Sequence, residues 1–118
     1  MSKTLAILLL TATCLAGSPV EARAQSAKTL YTRALARERT LRDAVRKPTL
    51  KQLRAAVAAY EAVVRRYPAS GYADNALWQA GNVALLAYDE FGQAADRLTG
   101  LRLLSRMRKV YPSSSLVA

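Results

Sequence analysis

Two short stretches constrain this chain more than anything else in it. Arg65-Arg66-Tyr67-Pro68-Ala69-Ser70 returns as Lys109-Val110-Tyr111-Pro112-Ser113-Ser114. Each closes a run of helical periodicity with a base, a tyrosine and a proline, and then offers a serine placed to cap another helix. A helix–turn–helix unit used in tandem is the mark of a helical repeat. The expected fold is therefore all-α, built from antiparallel helix pairs and about four helices in all.

The periodicity between and before these stretches fills in the helices. Leu50, Leu53, Val57, Tyr60, Val64 and Tyr67 step by three or four and share one face. Thr49 with Gln52 three residues later forms a capping box ahead of them, and Pro68 stops the run. Ser70 is expected to cap the next helix, whose stripe is Ala73, Leu77, Ala80, Ala84, Ala87 and Phe91, with Gly81 beside it. A glycine inside a helix costs about 1 kcal/mol relative to alanine, so Gly81 implies a close helix–helix contact. Gly92 breaks this helix. A fourth runs from about residue 93 or 94 to Val110, with Leu98, Leu101, Leu104 and Tyr111 as its stripe, Leu103, Met107 and Val110 beside it, and Gly100 at a second close contact.

The first helix reads from Ser26 to Arg46 through Ala27, Leu30, Tyr31, Ala34, Leu35, Leu41, Ala44 and Val45, with a break at Arg37-Glu38. Glu38 precedes Arg42 by four and Asp43 precedes Lys47 by four, the favourable order for helix ion pairs. Lys47-Pro48 ends it.

The opening residues carry an address. Lys3, the apolar run from Leu5 to Ala16 and the Ala22-Arg23-Ala24 pattern read as a signal peptide over residues 1–24, cleaved after Ala24. The run is well short of the ~20 residues that span a bilayer, so no transmembrane segment is expected after processing. Thr13 before Cys14 argues against lipidation. Processing leaves residues 25–118 as one helical domain in the periplasm or secreted, with no cysteine and hence no disulfide. Of 18 bases Lys3 and Arg23 are lost, and of 8 acids Glu21, which gives a mature charge of +9. Export removes nucleic acid as the partner for that charge. An envelope protein or peptide remains, or peptidoglycan or another anionic surface, met through the basic helices of residues 28–54, where there are nine bases and two acids; the alternative is a solvated basic face with no dedicated partner.

Ala56, Tyr60 and Pro68, with the small pair Ala80-Gly81, resemble a tetratricopeptide repeat. Tyr67-Pro68-Ala69-Ser70-Gly71-Tyr72-Ala73 and Tyr111-Pro112-Ser113-Ser114 look like the periplasmic branch that includes the outer-membrane assembly lipoprotein and the Tol–Pal-associated protein. The resemblance covers about residues 49–115 and implies a right-handed superhelix and protein interaction. It departs from the family in spacing: the Tyr-Pro pairs lie 44 residues apart against about 34, and the extra length is expected around Asp89 to Thr99. The ensemble from Gln25 through Asn75-Ala76-Leu77-Trp78 to Val117 also resembles the helical N-terminal region of some bacterial N-acetylmuramoyl-L-alanine amidases. That resemblance implies a targeting domain ahead of a zinc catalytic domain.

Catalysis has little to work with. The sequence has no histidine, and its cysteine lies in the signal, so imidazole-ligated zinc and Ser-His-Asp or Cys-His nucleophiles are absent from these residues. Asp89, Glu90 and Asp96 flank Gly92 and can be either a cation cluster or helix-end charges at a solvated turn. The expected module is non-catalytic and uses no cofactor. Its candidate peptide groove is Asn75, Trp78, Asn82 and Leu85, offset from the alanine stripe: amides for a backbone or carboxylate, indole for a flat apolar contact. The competing reading buries Trp78 as core under the first two helices. Because Pro112 to Val117 repeats a linker that introduces a helix, the chain is expected to be a piece of a longer exported protein.

Overall fold

The computed structural model describes residues 19–117. Of the expected signal sequence only Pro19–Ala24 fall within that range, as the exposed start of the first helix. The chain is all-α, with α1 (Pro19–Asp43), α2 (Leu50–Arg66), α3 (Ala73–Phe91) and α4 (Ala94–Val110). Each helix packs against the next in sequence, and the intervening turns are too short for anything but antiparallel neighbours.

The second helix follows its sequence closely. The Thr49 hydroxyl accepts from the Gln52 N–H at 3.1 Å, and the Gln52 side chain accepts from the Thr49 N–H at 2.9 Å. Leu53, Val57, Tyr60 and Val64 are buried. Tyr67 ends the helix, its N–H donating back to Val63.

The other helices depart from expectation in informative ways. Proline is preset for a first turn, and α1 starts at Pro19 rather than Ser26. It also stops at Asp43, so Ala44 and Val45 lie beyond it and exposed instead of in its stripe. Lys47, outside the helix, leaves Asp43 and reaches Glu90 at 3.4 Å. The Glu38–Arg42 pair does form, at 2.6 Å. Ser70 does not cap α3, which begins at Ala73. Its hydroxyl accepts instead from the nearer Tyr72 N–H at 3.4 Å, a tight turn of the kind serine makes locally. Phe91, last before the left-handed Gly92 (φ +70°), is exposed rather than in the stripe.

In α4 the inner face is rotated from the expected one. Asp96, Gly100, Leu103 and Met107 are buried, whereas Leu98 and Leu101 face solvent. Gly81 and Gly100 meet across α3 and α4. A Cβ on Gly81 would lie 2.7 Å from the Leu104 side chain. One on Gly100 would lie 2.8 Å from that of Leu85 and 3.0 Å from the Gly81 carbonyl oxygen.

The 44-residue repeat is geometric as well as sequential. Ser70 N–H donates to the Tyr67 carbonyl and Ser114 N–H to that of Tyr111. Ala73 N–H donates to Ser70 and Val117 N–H to Ser114. Both α2 and α4 have 17 residues and share the offset at each end. Residues 89–99 form the end of α3 and the start of α4 around Gly92-Gln93, in a lengthened second helix pair. The extra length is carried by long helices.

The core is centred on Tyr60, which is fully buried beside Tyr31, 6.0 Å between rings. Its hydroxyl donates to the buried Glu38 carboxylate at 2.7 Å, while Arg42 donates to the other oxygen at 2.6 Å. Glu38, which interrupts the α1 stripe in sequence, is thus part of the inner face. Burial first, and the Glu38 acceptor second, push the Tyr60 phenol well above the usual tyrosine range. In the unfolded chain the phenol ionises near pH 10. The folded chain holds that proton at higher pH, so this contribution to stability is full below about pH 10 and drains away above it. Tyr60→Phe should flatten the alkaline loss of stability in urea titrations from pH 8 to 11. Parallel curves for the two proteins would remove Tyr60 as its source.

A candidate interaction face on α3 and α4

The four candidate groove residues share one side of α3, at positions fixed by a rigid helix. Trp78 is 39% exposed, so the reading that buries it under α1 and α2 is corrected. Its helix packs inward through small side chains (Ala73, Ala76, Ala80, Ala84, Ala87), which leaves the indole on the other side. Asn75, Asn82 and Leu85 are half-buried. The Asn82 amide donates to the Trp78 carbonyl at 2.8 Å, so one of its donors serves its own helix. Leu85 lies against Gly100 of α4 and is part of the α3–α4 seam.

The sequence did not assign the α4 half of this face. Leu104 lies against Gly81, and Leu101, one turn earlier, is 45% exposed. Small glycines on both helices bring the two backbones together, and each glycine is overlain by a leucine of the partner helix. Trp78, Leu85, Leu101 and Leu104 therefore belong to one pair of closely packed helices. Tryptophan is among the side chains most enriched as anchors of protein contacts.

Two of the three acids near Gly92 are engaged by bases, while Asp89 is exposed without an ion pair among the described residues. Arg54 donates to both oxygens of the buried Asp96 at 2.9 Å and to Gln93 at 2.8 Å. The hydrogen bond to Asp96, above all, raises the arginine further. Glu90 takes Lys47. Among the described residues no group of three or more His, Cys, Asp or Glu converges as a metal site would require. A cleft of about 300 Å³ opens between residues 44–48 and α3, lined by Leu41, Leu53, Val83 and Leu86. Its charged groups Glu38, Arg42, Lys47 and Glu90 are paired with one another.

Of the nine bases from Lys28 to Arg54, three are held by carboxylates: Arg42, Lys47 and Arg54. The other six, including Arg33, Arg37, Arg39 and Lys51, are exposed without an ion pair among the described residues. No helix of the described residues is long and apolar enough to cross a membrane.

No protein-family model, curated protein or solved structure matches the chain.

Proposed function

We propose that this chain is an exported, non-catalytic helical-repeat module that binds another protein of the cell envelope through the α3–α4 face. The observation that carries the reading is the exposed Trp78, held in mid-helix beside a leucine-bearing seam rather than in the core. The duplicated turn supports a repeat of tetratricopeptide type, with right-handed superhelical stacking as its continuation. The signal-like residues 1–24 support export, and the lack of histidine supports a binding rather than a catalytic role.

A second reading has its own observation. The six unpaired bases of residues 28–54 favour an anionic wall polymer as partner, as a targeting domain of an N-acetylmuramoyl-L-alanine amidase would need. One experiment separates the two. A photo-crosslinking side chain is placed at Trp78 or at Arg39 in the exported protein. A defined envelope partner trapped from position 78 and not from position 39 is the expected result. Salt-sensitive sedimentation with isolated cell wall, and no adduct from position 78, would replace the first reading with the second. Protein retaining Met1 in the cytoplasm would overturn both.

A further inference from the structure

The internal repeat identifies what kind of surface the exposed face is. Under the 44-residue offset Asn75, Trp78, Asn82 and Leu85 of α3 take the places of Tyr31, Ala34, Glu38 and Leu41 of α1. Arg97, Leu101, Leu104 and Arg108 of α4 take the places of Leu53, Val57, Tyr60 and Val64 of α2. In the first pair every one of those positions is used. Ala34, Glu38, Leu53, Val57, Tyr60 and Val64 are buried, and Leu41 packs against the same core. Tyr31 lies 5.3 Å from Tyr72 at the head of α3 and 6.0 Å from Tyr60. What covers that face is a helix, α3, packed on α2 through alanines. The second pair presents the equivalent face, and among the described residues only the tail reaches its end: Leu116, at the place of Tyr72, packs against the core, and the Ser114 hydroxyl donates to Asp74 at 2.6 Å.

Three substitutions within the repeat say what its cover must look like. Arg97 and Arg108 stand where α2 buries Leu53 and Val64, at the two ends of the Leu101–Leu104 stripe. Both are exposed, and neither takes part in a hydrogen bond or ion pair among the described residues. Trp78 stands where α1 has Ala34, so a covering helix must be narrow at that level. We propose that this face docks an amphipathic helix of a partner protein, with small side chains over Trp78 and Leu101 and carboxylates reaching Arg97 and Arg108. Eleven residues separate the arginines, about 16 Å along the helix, so the carboxylates would lie at positions i and i+11. The proposal rests on the interaction-module reading and replaces its extended peptide with a helix.

A second copy of this chain fits poorly. By the same offset its α1 would be the covering helix. Its residues at the places of Ala73, Leu77, Ala80 and Ala84 are Thr29, Arg33, Ala36 and Thr40, with Arg37 and Arg39 alongside. That surface would bring like charge to Arg97 and Arg108 in a protein of net charge +10.

Trp78, the one tryptophan, reports on its own cover. The probe is an alanine-rich helical peptide with glutamates eleven positions apart, compared with its lysine counterpart and with a proline-broken glutamate version. The glutamate helix should move Trp78 emission to shorter wavelength saturably. The other two peptides should not. Arg97→Glu with Arg108→Glu should weaken the glutamate helix about tenfold, from two surface attractions turned to repulsions, and let the lysine helix bind in its place. Equal shifts from the glutamate and lysine helices, or no shift from either, would overturn the proposal. An equal shift from the proline-broken peptide would also overturn it, while leaving the module reading intact. A blue shift that grows with protein concentration alone, alongside a dimer in sedimentation, would assign the face to a second copy instead.

Discussion

Tyr60→Ala should lower the stability of the folded chain by about 3–5 kcal/mol, the range for truncating a core aromatic. The ring is fully buried where α1 and α2 meet, beside Tyr31, and its hydroxyl is one of two donors to the buried Glu38 carboxylate. Truncation opens a cavity and also leaves half of that carboxylate without a partner. For a domain stable by about 5–15 kcal/mol, much of the folded population is at stake. Tyr60→Phe keeps the ring and removes only the donor, so it should cost about 1–3 kcal/mol. Urea midpoints at unchanged slope measure both. A shift under about 1 kcal/mol for Tyr60→Ala would mean that the α1–α2 core is not closed around this ring.

Gly81→Leu should destabilise by about 1–3 kcal/mol through overpacking, although leucine favours helix over glycine by nearly 1 kcal/mol. Neither Gly81 nor Gly100 has a left-handed backbone, so the effect isolates packing. The alanine variants separate the two glycines. At Gly81 a methyl meets the half-buried Leu104 side chain, which can turn aside. At Gly100 it also meets the Gly81 carbonyl oxygen at 3.0 Å, which is backbone and cannot. Gly100→Ala should therefore cost more than Gly81→Ala. An unchanged or raised denaturation midpoint for Gly81→Leu would refute the close α3–α4 approach.

The helices that the sequence made legible are those whose inner faces are wholly apolar. In α2 the steps from Leu50 to Tyr67 name the buried side without ambiguity, and a capping box marks its start. In α1 and α4 the inner face includes a carboxylate, Glu38 or Asp96, and periodicity treats a charge as an outward residue. That excluded Glu38 from its stripe and turned the α4 stripe toward Leu98, which is 64% exposed. Nothing local reveals that Tyr60, 22 residues away, and Arg54, 42 away, supply their partners. The candidate face was half legible for a similar reason. The spacing of Asn75, Trp78, Asn82 and Leu85 gave one side of one helix. That Leu101 and Leu104 belong beside it depends on how α4 packs, which Gly81 and Gly100 hint at without fixing its rotation. The helix ends at Asp43 and Ala73 were illegible because the turns between helices, not the helix propensities, decide them.

Arg54 has a wider consequence. In a stack of helices where each touches only its neighbours, an end helix can peel away by breaking one seam. Here α2 reaches past α3 to α4, through Arg54 to Asp96 and Gln93 and through Glu61 to Arg102. The tail is tied back as well, by Tyr111 to the Pro68 carbonyl and by Ser114 to Asp74. Detaching α4 alone would break the Arg54–Asp96 pair and loosen both turns at once. These cross-ties turn a row of hinged slats into a braced panel. Its amides should exchange with solvent as one cooperative unit from α2 through α4, so that the face at Trp78 is rigid beforehand and any contact made there would cost little ordering entropy.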